Sequence, residues 1–290
     1  MTDDAYALDK RRLRVAFARA TGSYDESAVL QAEIGRRLLE RLDYVHLDPR
    51  RVLDAGAGTG RGSRALRERY RRAEIVALDI AQAMLCELRR RSGGWRERFR
   101  RTPAICADVE CLPLAAGCID LIHSNVALQW SMSLDAVFGE FRRVLAPGGL
   151  LMFTTFGPDT LRELRAAWAE VDDRVHVHAF ADMHDIGDAL LRAGFSDPVV
   201  DREDIVLTYG DVKTLMQDLR QIGATNAAVG RGRGLMTPRR LRALEQAYAR
   251  RRDRDGRLPA TYEVIYGHAW CPQPMSVNAR PVIPIRPVSG

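Results

Sequence analysis

Lysine is nearly absent from this sequence, because Lys10 and Lys213 are the only two and all other basic residues are arginine. The chain has 290 residues, with 44 basic against 38 acidic side chains and a formal net charge of +6. A basic balance suits a nucleic-acid partner, an acidic protein partner or a solvated arginine-rich surface. Charge alone therefore does not distinguish a binding protein from an enzyme.

Long apolar runs and paired cysteines are also missing. No stretch approaches the roughly 18 apolar residues that a membrane-spanning helix needs, and residues 1–20 lack the apolar core of a secretory signal. We therefore expect a cytoplasmic protein without a membrane partner. The 5 cysteines form no CxxC pair, and no Cys/His pair has zinc-ligand spacing, so we expect reduced thiols and no metal site.

Short apolar strands alternate with helix-like segments through the first half of the chain. Such alternation predicts a parallel, doubly wound α/β sheet. The five strand-like runs are "RRVLDAGAGTG", "EIVALDI", "PAICADVECLPL", "CIDLIHSNVAL" and "LLMFTTF"; the helix-like runs include "AQAMLCELRRR" and "LDAVFGEFRRVLAPGG", the latter stopped by Pro-Gly-Gly.

The remaining segments suggest three further parts. Residues 1–45 predict an N-terminal helical lid, with a basic helix over 8–20 and one helix over 23–42 for which Ser23 and Asp25 are candidate caps. Residues 46–271 predict the main domain, with a helical insertion at about 210–255 before a last strand, "LPATYEVIYGHAW". Residues 272–290 are proline-rich and predict a disordered tail.

Acidic residues end the first three strands, and glycines follow the first. Ligands of open parallel sheets bind at the carboxyl ends of the strands. Asp54 opens "DAGAGTG", whose glycines let the backbone turn sharply beside a ligand. Asp79 is placed to accept hydrogen bonds from both hydroxyls of a ribose, and Asp108 from an exocyclic amine such as that of adenine. The G-x-G-x-G spacing departs from the dinucleotide fingerprint G-x-G-x-x-G.

These motifs resemble the class I S-adenosylmethionine-dependent methyltransferases. "VLDAGAGTG", "LDI", "ADVECLPL" and "FRRVLAPGGLLMFTTFG" carry the resemblance in spacing and order. It implies a seven-stranded, mostly parallel sheet whose last strand is antiparallel. It also implies a cofactor site in which the glycine loop holds the methionine part, the second acid the ribose and the third acid the adenine. The predicted cofactor residues are Asp54, Gly56, Gly58, Gly60, Asp79, Ile80, Asp108, Val109 and Asn125.

A narrower resemblance covers nearly the whole chain up to Trp270. "FARATGSYDESAVLQAEIGRRLLERL", "SNVALQW", "TTFGPDTLRELRAAW" and "LPATYEVIYGHAW" are similar to the malonyl-acyl-carrier-protein O-methyltransferases of biotin synthesis. The resemblance implies methylation of the free carboxylate of a malonyl group on a strongly acidic carrier protein. The same subfamily includes mitochondrial complex I assembly factors. Methylation of a free small acid, or of a protein or nucleic-acid partner, therefore stays open, although no aromatic-basic repeat supports RNA binding.

Methyl transfer to a carboxylate needs no general base, because carboxyl groups are ionised at neutral pH. We therefore expect no catalytic dyad, catalysis by alignment in a closed, dry pocket, and structural roles for His123 and His184. An arginine fork recognises a carboxylate well. The candidate arginines are Arg19, Arg231 and Arg233.

Other candidate substrate residues lie in the lid and after the fourth strand. Tyr24 could contact the methionine end of the cofactor or the substrate. In "SNVALQW", Asn125 is expected near the methionine part or the sulfonium, and Gln129 and Trp130 are expected to wall the acyl pocket. The arginine-rich segment 237–252 is a candidate docking helix for the carrier protein. The sequence does not indicate an oligomeric state.

Overall fold

The computed structural model describes residues 8–91, 102–223 and 237–273. Its helices are α1 (Lys10–Ala20), α2 (Tyr24–Ser27), α3 (Val29–Arg41), α4 (Arg61–Arg69), α5 (Gln82–Arg91), α6 (Leu134–Val144), α7 (Arg162–Ala169), α8 (Met183–Arg192), α9 (Val212–Gln221) and α10 (Pro238–Ala249). Its strands are β1 (Arg51–Ala55), β2 (Glu74–Asp79), β3 (Ala104–Cys106), β4 (Ile119–Ser124), β5 (Leu145–Phe156), β6 (Ser196–Tyr209) and β7 (Leu258–Trp270).

The strands form one seven-stranded sheet in the order β3-β2-β1-β4-β5-β7-β6. Strands β1 to β5 pair in parallel, whereas β7 is antiparallel to both β5 and β6. The strand order reverses between β1 and β4, which makes the carboxyl ends of these two strands the expected ligand position. The predicted fold class is confirmed, including its antiparallel last strand.

Helices cover both faces of this sheet, because neighbouring strand residues point to opposite sides. Val52 of β1 packs in a cluster with α3, α7, α9 and α10, whereas Leu53, next in the chain, packs with α6 and α8. Both residues are fully buried. The two apolar layers fix the sheet edge at which the acids and the glycine loop emerge.

Two predicted helices differ in the structure. Residues 23–42 form two helices because the chain breaks at Ala28, where ψ is 44°. Ser23 occupies the N-cap position of α2, but its side chain makes no cap hydrogen bond, whereas Asp25 lies inside α2 and accepts from Thr59. The helix predicted to end at Pro-Gly-Gly ends earlier, at Val144. The residues that follow belong to β5, and they form backbone hydrogen bonds with the chain just after β7.

The predicted insertion leaves and re-enters the sheet at one place. Tyr209, the last residue of β6, pairs with Leu258, the first residue of β7. Helices α9 and α10 lie between these residues, and 224–236 are outside the described residues, as is the tail from 274. Within the described ranges, no helix combines the length and the apolar character needed to cross a bilayer.

Candidate active site

The glycine loop after β1 has left-handed backbone at Gly56 and Gly58, and a side chain would collide at the first of these positions only. Gly56 has φ +82°, and a Cβ there would lie 2.3 Å from the Cβ of Ala127. Gly58 has φ +53°, and its Cβ would meet only the Tyr24 ring, at 4.0 Å. Gly56 therefore allows the loop to approach the segment after β4, and Gly58 leaves open space in front of the loop.

Gly60 has a packing role. Its φ is +85°, it precedes α4, and a Cβ there would lie 2.5 Å from Cγ of Leu88. It lines neither of the two cavities that Gly56 and Gly58 line. Gly60 therefore serves the contact between α4 and α5, whereas the first two glycines face these cavities.

Asp79 ends β2 directly beside this loop. Its Oδ2 accepts from the Gly58 amide at 2.9 Å and its Oδ1 accepts from the Ala81 amide at 2.8 Å. Burial raises the pKa of Asp79 to about 6, and the nearby charge of Asp54 adds to the rise, against the lowering effect of the two amides. A buried carboxylate with lone pairs to spare suits a ligand that brings hydroxyl donors.

Most of the predicted cofactor residues line one small cavity. The cavity has a volume of about 70 Å³, and Leu13, Phe17 and Met84 give it apolar walls. The predicted residues that line it are Gly56, Gly58, Asp79, Ile80, Asp108, Val109 and Asn125. The structure therefore brings together seven of the nine residues, all except Asp54 and Gly60.

Asp108 is held by the N-terminal helix. Lys10 of α1 places its Nζ 2.6 Å from Asp108 Oδ2 and 2.6 Å from Glu110 Oε2. Burial lowers the pKa of Lys10, but the two carboxylates raise it more, so the net pKa is raised. One of the two lysines in the chain thus fastens α1 over the cavity that Asp108 lines.

Asp54 and His123 form a buried network behind the glycine loop. Asp54 is 2% exposed; its Oδ2 accepts from Ser63 Oγ at 2.6 Å and its Oδ1 lies 2.9 Å from His123 Nδ1. Both residues line a further cavity of about 240 Å³ on the α3 side of the loop. These contacts connect β1, β4 and α4. The other histidine considered from the sequence, His184, is exposed at the start of α8.

Asn125 also makes structural contacts. Its Nδ2 donates to the Gln31 carbonyl at 2.9 Å, and its Oδ1 accepts from Thr154 Oγ1 at 2.9 Å. The side chain thereby joins α3 to β5 while it lines the small cavity and the cavity behind the loop.

A larger cavity of about 260 Å³ adjoins the small one and contains the predicted acyl-pocket residues. Gln129 and Trp130 line it together with Tyr24, Phe17 and apolar residues of α7 and α9. Tyr24 also lines the small cavity and the cavity behind the loop, so it lies where all three meet. Burial raises the pKa of Tyr24, with Asp79 and Asp25 adding to it, so the phenol is protonated at neutral pH.

Three polar atoms of the larger cavity lack a hydrogen-bond partner within the described part of the chain. They are Gln31 Oε1, Gln129 Oε1 and His178 Nε2, and all three are buried. Leaving a buried polar atom unpaired costs about 1–3 kcal/mol. The cavity is therefore prepared for a ligand with polar groups.

His178 was not singled out from the sequence, because it lies in the irregular segment between α7 and α8. Its ring centroid is 5.1 Å from that of Trp130 and 4.3 Å from that of Phe180. Burial lowers the pKa of His178 to about 4, and Arg165 lowers it further. The imidazole is therefore neutral at physiological pH, with one N–H to donate.

Arg220 of α9 is the guanidinium that lines the larger cavity. It is exposed and forms no ion pair with any residue that the structure describes. The predicted Arg19 is exposed in the last turn of α1 and lines none of the three cavities described above. Arg231 and Arg233 lie outside the described residues. No cluster of metal-ligating side chains occurs within the three described ranges.

Comparison with known proteins agrees with this geometry. The family model for a methyltransferase domain matches residues 53–153. A malonyl-acyl-carrier-protein O-methyltransferase of Methylovorus sp. (strain MP688) is 56% identical over 279 residues, 94% of this chain and 93% of that protein. The protein of the same name from Gallionella capsiferriformans (strain ES-2) is 54% identical over 272 residues, 93% of each chain.

The fold is similar to that of a solved structure, the YcgJ protein from Bacillus subtilis. The TM-score is 0.58 at 14% sequence identity, and the match covers 82% of this chain and 98% of that one. Sequence identity above half over more than nine tenths of the chain confirms the predicted resemblance. The chain therefore belongs to the family of malonyl-acyl-carrier-protein O-methyltransferases, within the class I S-adenosylmethionine-dependent methyltransferases.

Proposed function

We propose that this enzyme transfers a methyl group from S-adenosylmethionine to the free carboxylate of malonyl-acyl carrier protein, an early step of biotin synthesis. The observation that carries the proposal is the meeting of two cavities at Tyr24. One is lined by the predicted cofactor residues, and the other is aromatic and contains unpaired polar atoms. A donor and an acceptor could therefore be held side by side.

The residues that line the small cavity fit S-adenosylmethionine. The left-handed turn at Gly56 and the open space at Gly58 admit the methionine part, Asp79 accepts from ribose hydroxyls, and Asp108 faces the adenine. When bound, S-adenosylmethionine supplies its methyl group to a carboxylate oxygen, as the carbon–sulfur bond breaks and the bonding electron pair stays on sulfur. The product is S-adenosylhomocysteine.

Arg220 and His178 are proposed to hold the acceptor carboxylate. Arg220 supplies a positive charge that has no competing carboxylate among the described residues, and charge-assisted hydrogen bonds are the stronger ones. His178 Nε2 is buried and has no hydrogen-bond partner among the described residues, and its neutral ring could donate without neutralising the nucleophile. Two fixed donors would orient a carboxylate, which is how we expect this site to lower the barrier.

Tyr24, Gln129 and Trp130 are proposed to complete the wall around the reacting atoms. The Gln129 amide nitrogen donates to the Val126 carbonyl at 2.8 Å, which fixes the side chain, and its oxygen has no partner in the part of the chain that the structure describes. Trp130 packs edge-on against Phe17 with ring centroids 5.6 Å apart. A wall of this kind excludes water from the ionised acceptor. The N-terminal helices α1–α3 would then act as a lid, and a cytoplasmic location stays a prediction.

Methyl transfer from labelled S-adenosylmethionine tests the proposal. Malonyl-acyl carrier protein should gain one methyl group by mass spectrometry, and acetyl-acyl carrier protein, which has no free carboxylate, should gain none. Methylation of free malonate without methylation of the carrier-bound group would contradict the proposal and favour a small-acid methyltransferase. Expression in a biotin auxotroph that lacks the enzyme should restore growth.

A further inference from the structure

Helix α1 has two different faces. Its inward residues Leu13 and Ala20 are buried and Phe17 lines both the small and the larger cavity, while Lys10 binds Asp108. Exposed residues recur on the opposite face at i, i+3, i+4, i+7 and i+8, and these are Arg11, Arg14, Val15, Ala18 and Arg19. The spacing places them on one continuous stripe of the helix surface.

Three arginines of this outward stripe, Arg11, Arg14 and Arg19, form no ion pair with any carboxylate among the described residues. Arg12, on the same helix, is paired with Asp9. Val15 lies among them with 45% of its surface exposed. Unpaired guanidinium groups around an exposed apolar residue are suited to an acidic protein surface.

The helix that carries the stripe forms part of the wall of the larger cavity through its opposite face. The end of α9 packs against the same helix, because a Cβ on Gly223 would lie 2.8 Å from the Phe17 ring. Arg220, one helical turn before Gly223, lines the larger cavity. A protein that binds the outward stripe of α1 would therefore be next to the wall of the cavity that its acyl group must enter.

Helix α10, which the sequence predicts as the docking helix, is less suitable for binding an acidic protein than the outward stripe of α1. None of its residues lines any of the three cavities of the site. Its arginines are partly used within the protein, since Arg240 pairs with Asp172, and Arg250 and Arg251, just after the helix, pair with Glu170. Arg239 and Arg242 remain exposed and unpaired among the described residues.

We propose that the outward stripe of α1, and not α10, is the docking surface for the acidic carrier protein that delivers the malonyl group. This inference rests on the proposed function. Because α1 also forms a wall of both cavities, the carrier would bind the helix that closes the active site.

Two double charge reversals of equal size test the assignment. Arg11→Glu with Arg14→Glu alters α1, and Arg239→Glu with Arg242→Glu is the matched control on α10. Each variant and the wild-type enzyme are assayed with malonyl-acyl carrier protein and with malonyl-pantetheine, which carries the same thioester without the protein. The α1 variant should lose roughly tenfold or more in kcat/KM for the carrier-bound group, because like charges then oppose association.

The same variant should keep its kcat/KM for malonyl-pantetheine, and the α10 variant should resemble the wild type with both substrates. Added salt should lower wild-type activity on the carrier-bound group and have much less effect on the α1 variant. An equal loss on both substrates, or a loss confined to the α10 variant, overturns the docking assignment. Wild-type enzyme that methylates neither thioester overturns the proposed function itself.

Discussion

The ionisation of Asp79 should control the affinity of this protein for its cofactor. The carboxylate is buried at the end of β2, and burial raises its pKa to about 6. Ribose hydroxyls donate hydrogen bonds, so they favour the ionised form. Because the pKa is raised, the carboxylate is ionised above about pH 7 and protonated as the pH falls through about 6. Affinity should therefore be full near neutrality and fall in mild acid.

The size of the effect follows from the pKa. With a pKa of about 6, Asp79 is ionised in roughly one protein molecule in eleven at about pH 5. If only the ionised form binds the cofactor, the Kd should rise about tenfold between about pH 7.5 and pH 5. Calorimetric titration with S-adenosylhomocysteine at several pH values measures this directly. The product is chosen so that no methyl transfer occurs during the titration.

Asp79→Asn is the control, because an amide of nearly the same shape cannot ionise. We expect its affinity to be lower than that of the wild type and nearly constant across the same pH range. His178 also titrates, but its pKa is lowered to about 4 and it lies in the larger cavity. A pH-independent wild-type Kd, or an equal slope in the variant, would show that another group governs binding.

Three further substitutions test other parts of the site. Gly56→Ala should destabilise the protein by about 2–4 kcal/mol in denaturant unfolding, because its Cβ would collide with Ala127 at 2.3 Å and φ is +82°; a stability equal to wild type would refute the close-approach argument. His178→Phe should preserve the ring packing but lower kcat/KM for the malonyl thioester by about 10- to 100-fold, with the Kd of S-adenosylhomocysteine unchanged; equal losses in both would contradict a role confined to the acceptor. Arg220→Gln should mainly raise KM for the same thioester, by about tenfold, and Arg220→Lys should recover part of the loss; an unchanged KM would remove Arg220 from the acceptor site.

The cofactor side of the site could be predicted from the sequence because it follows from the sheet. Parallel strands end at the same edge, so acids that follow successive strands must come together there. Asp79 and Asp108 accordingly line one cavity. What the pattern could not predict is which residues of a motif line that cavity: Gly60 packs against Leu88, and Asp54 accepts a hydrogen bond from Ser63 and contacts His123.

Among the residues that line the larger cavity, the sequence predicts those that directly follow a strand of the sheet. Gln129 and Trp130 follow β4 and line the larger cavity, and their place in an acyl pocket stays a prediction. His178 lies in a segment without helical or strand periodicity, and Arg220 is one arginine among many on a helix. Their positions depend on how α7, α8 and α9 pack, and tertiary packing of this kind leaves no local pattern.

The paired ends of the helical insertion have a consequence for how this enzyme could diverge. Tyr209 and Leu258 are adjacent in the sheet, so the intervening segment can change in length or sequence without altering strand register. The segment contributes Arg220 to the acceptor cavity, whereas the methyltransferase family model matches only residues 53–153, which contain the cofactor acids. Selection could therefore vary the wall of the larger cavity that carries Arg220, while the strands that carry Asp79 and Asp108 keep their register.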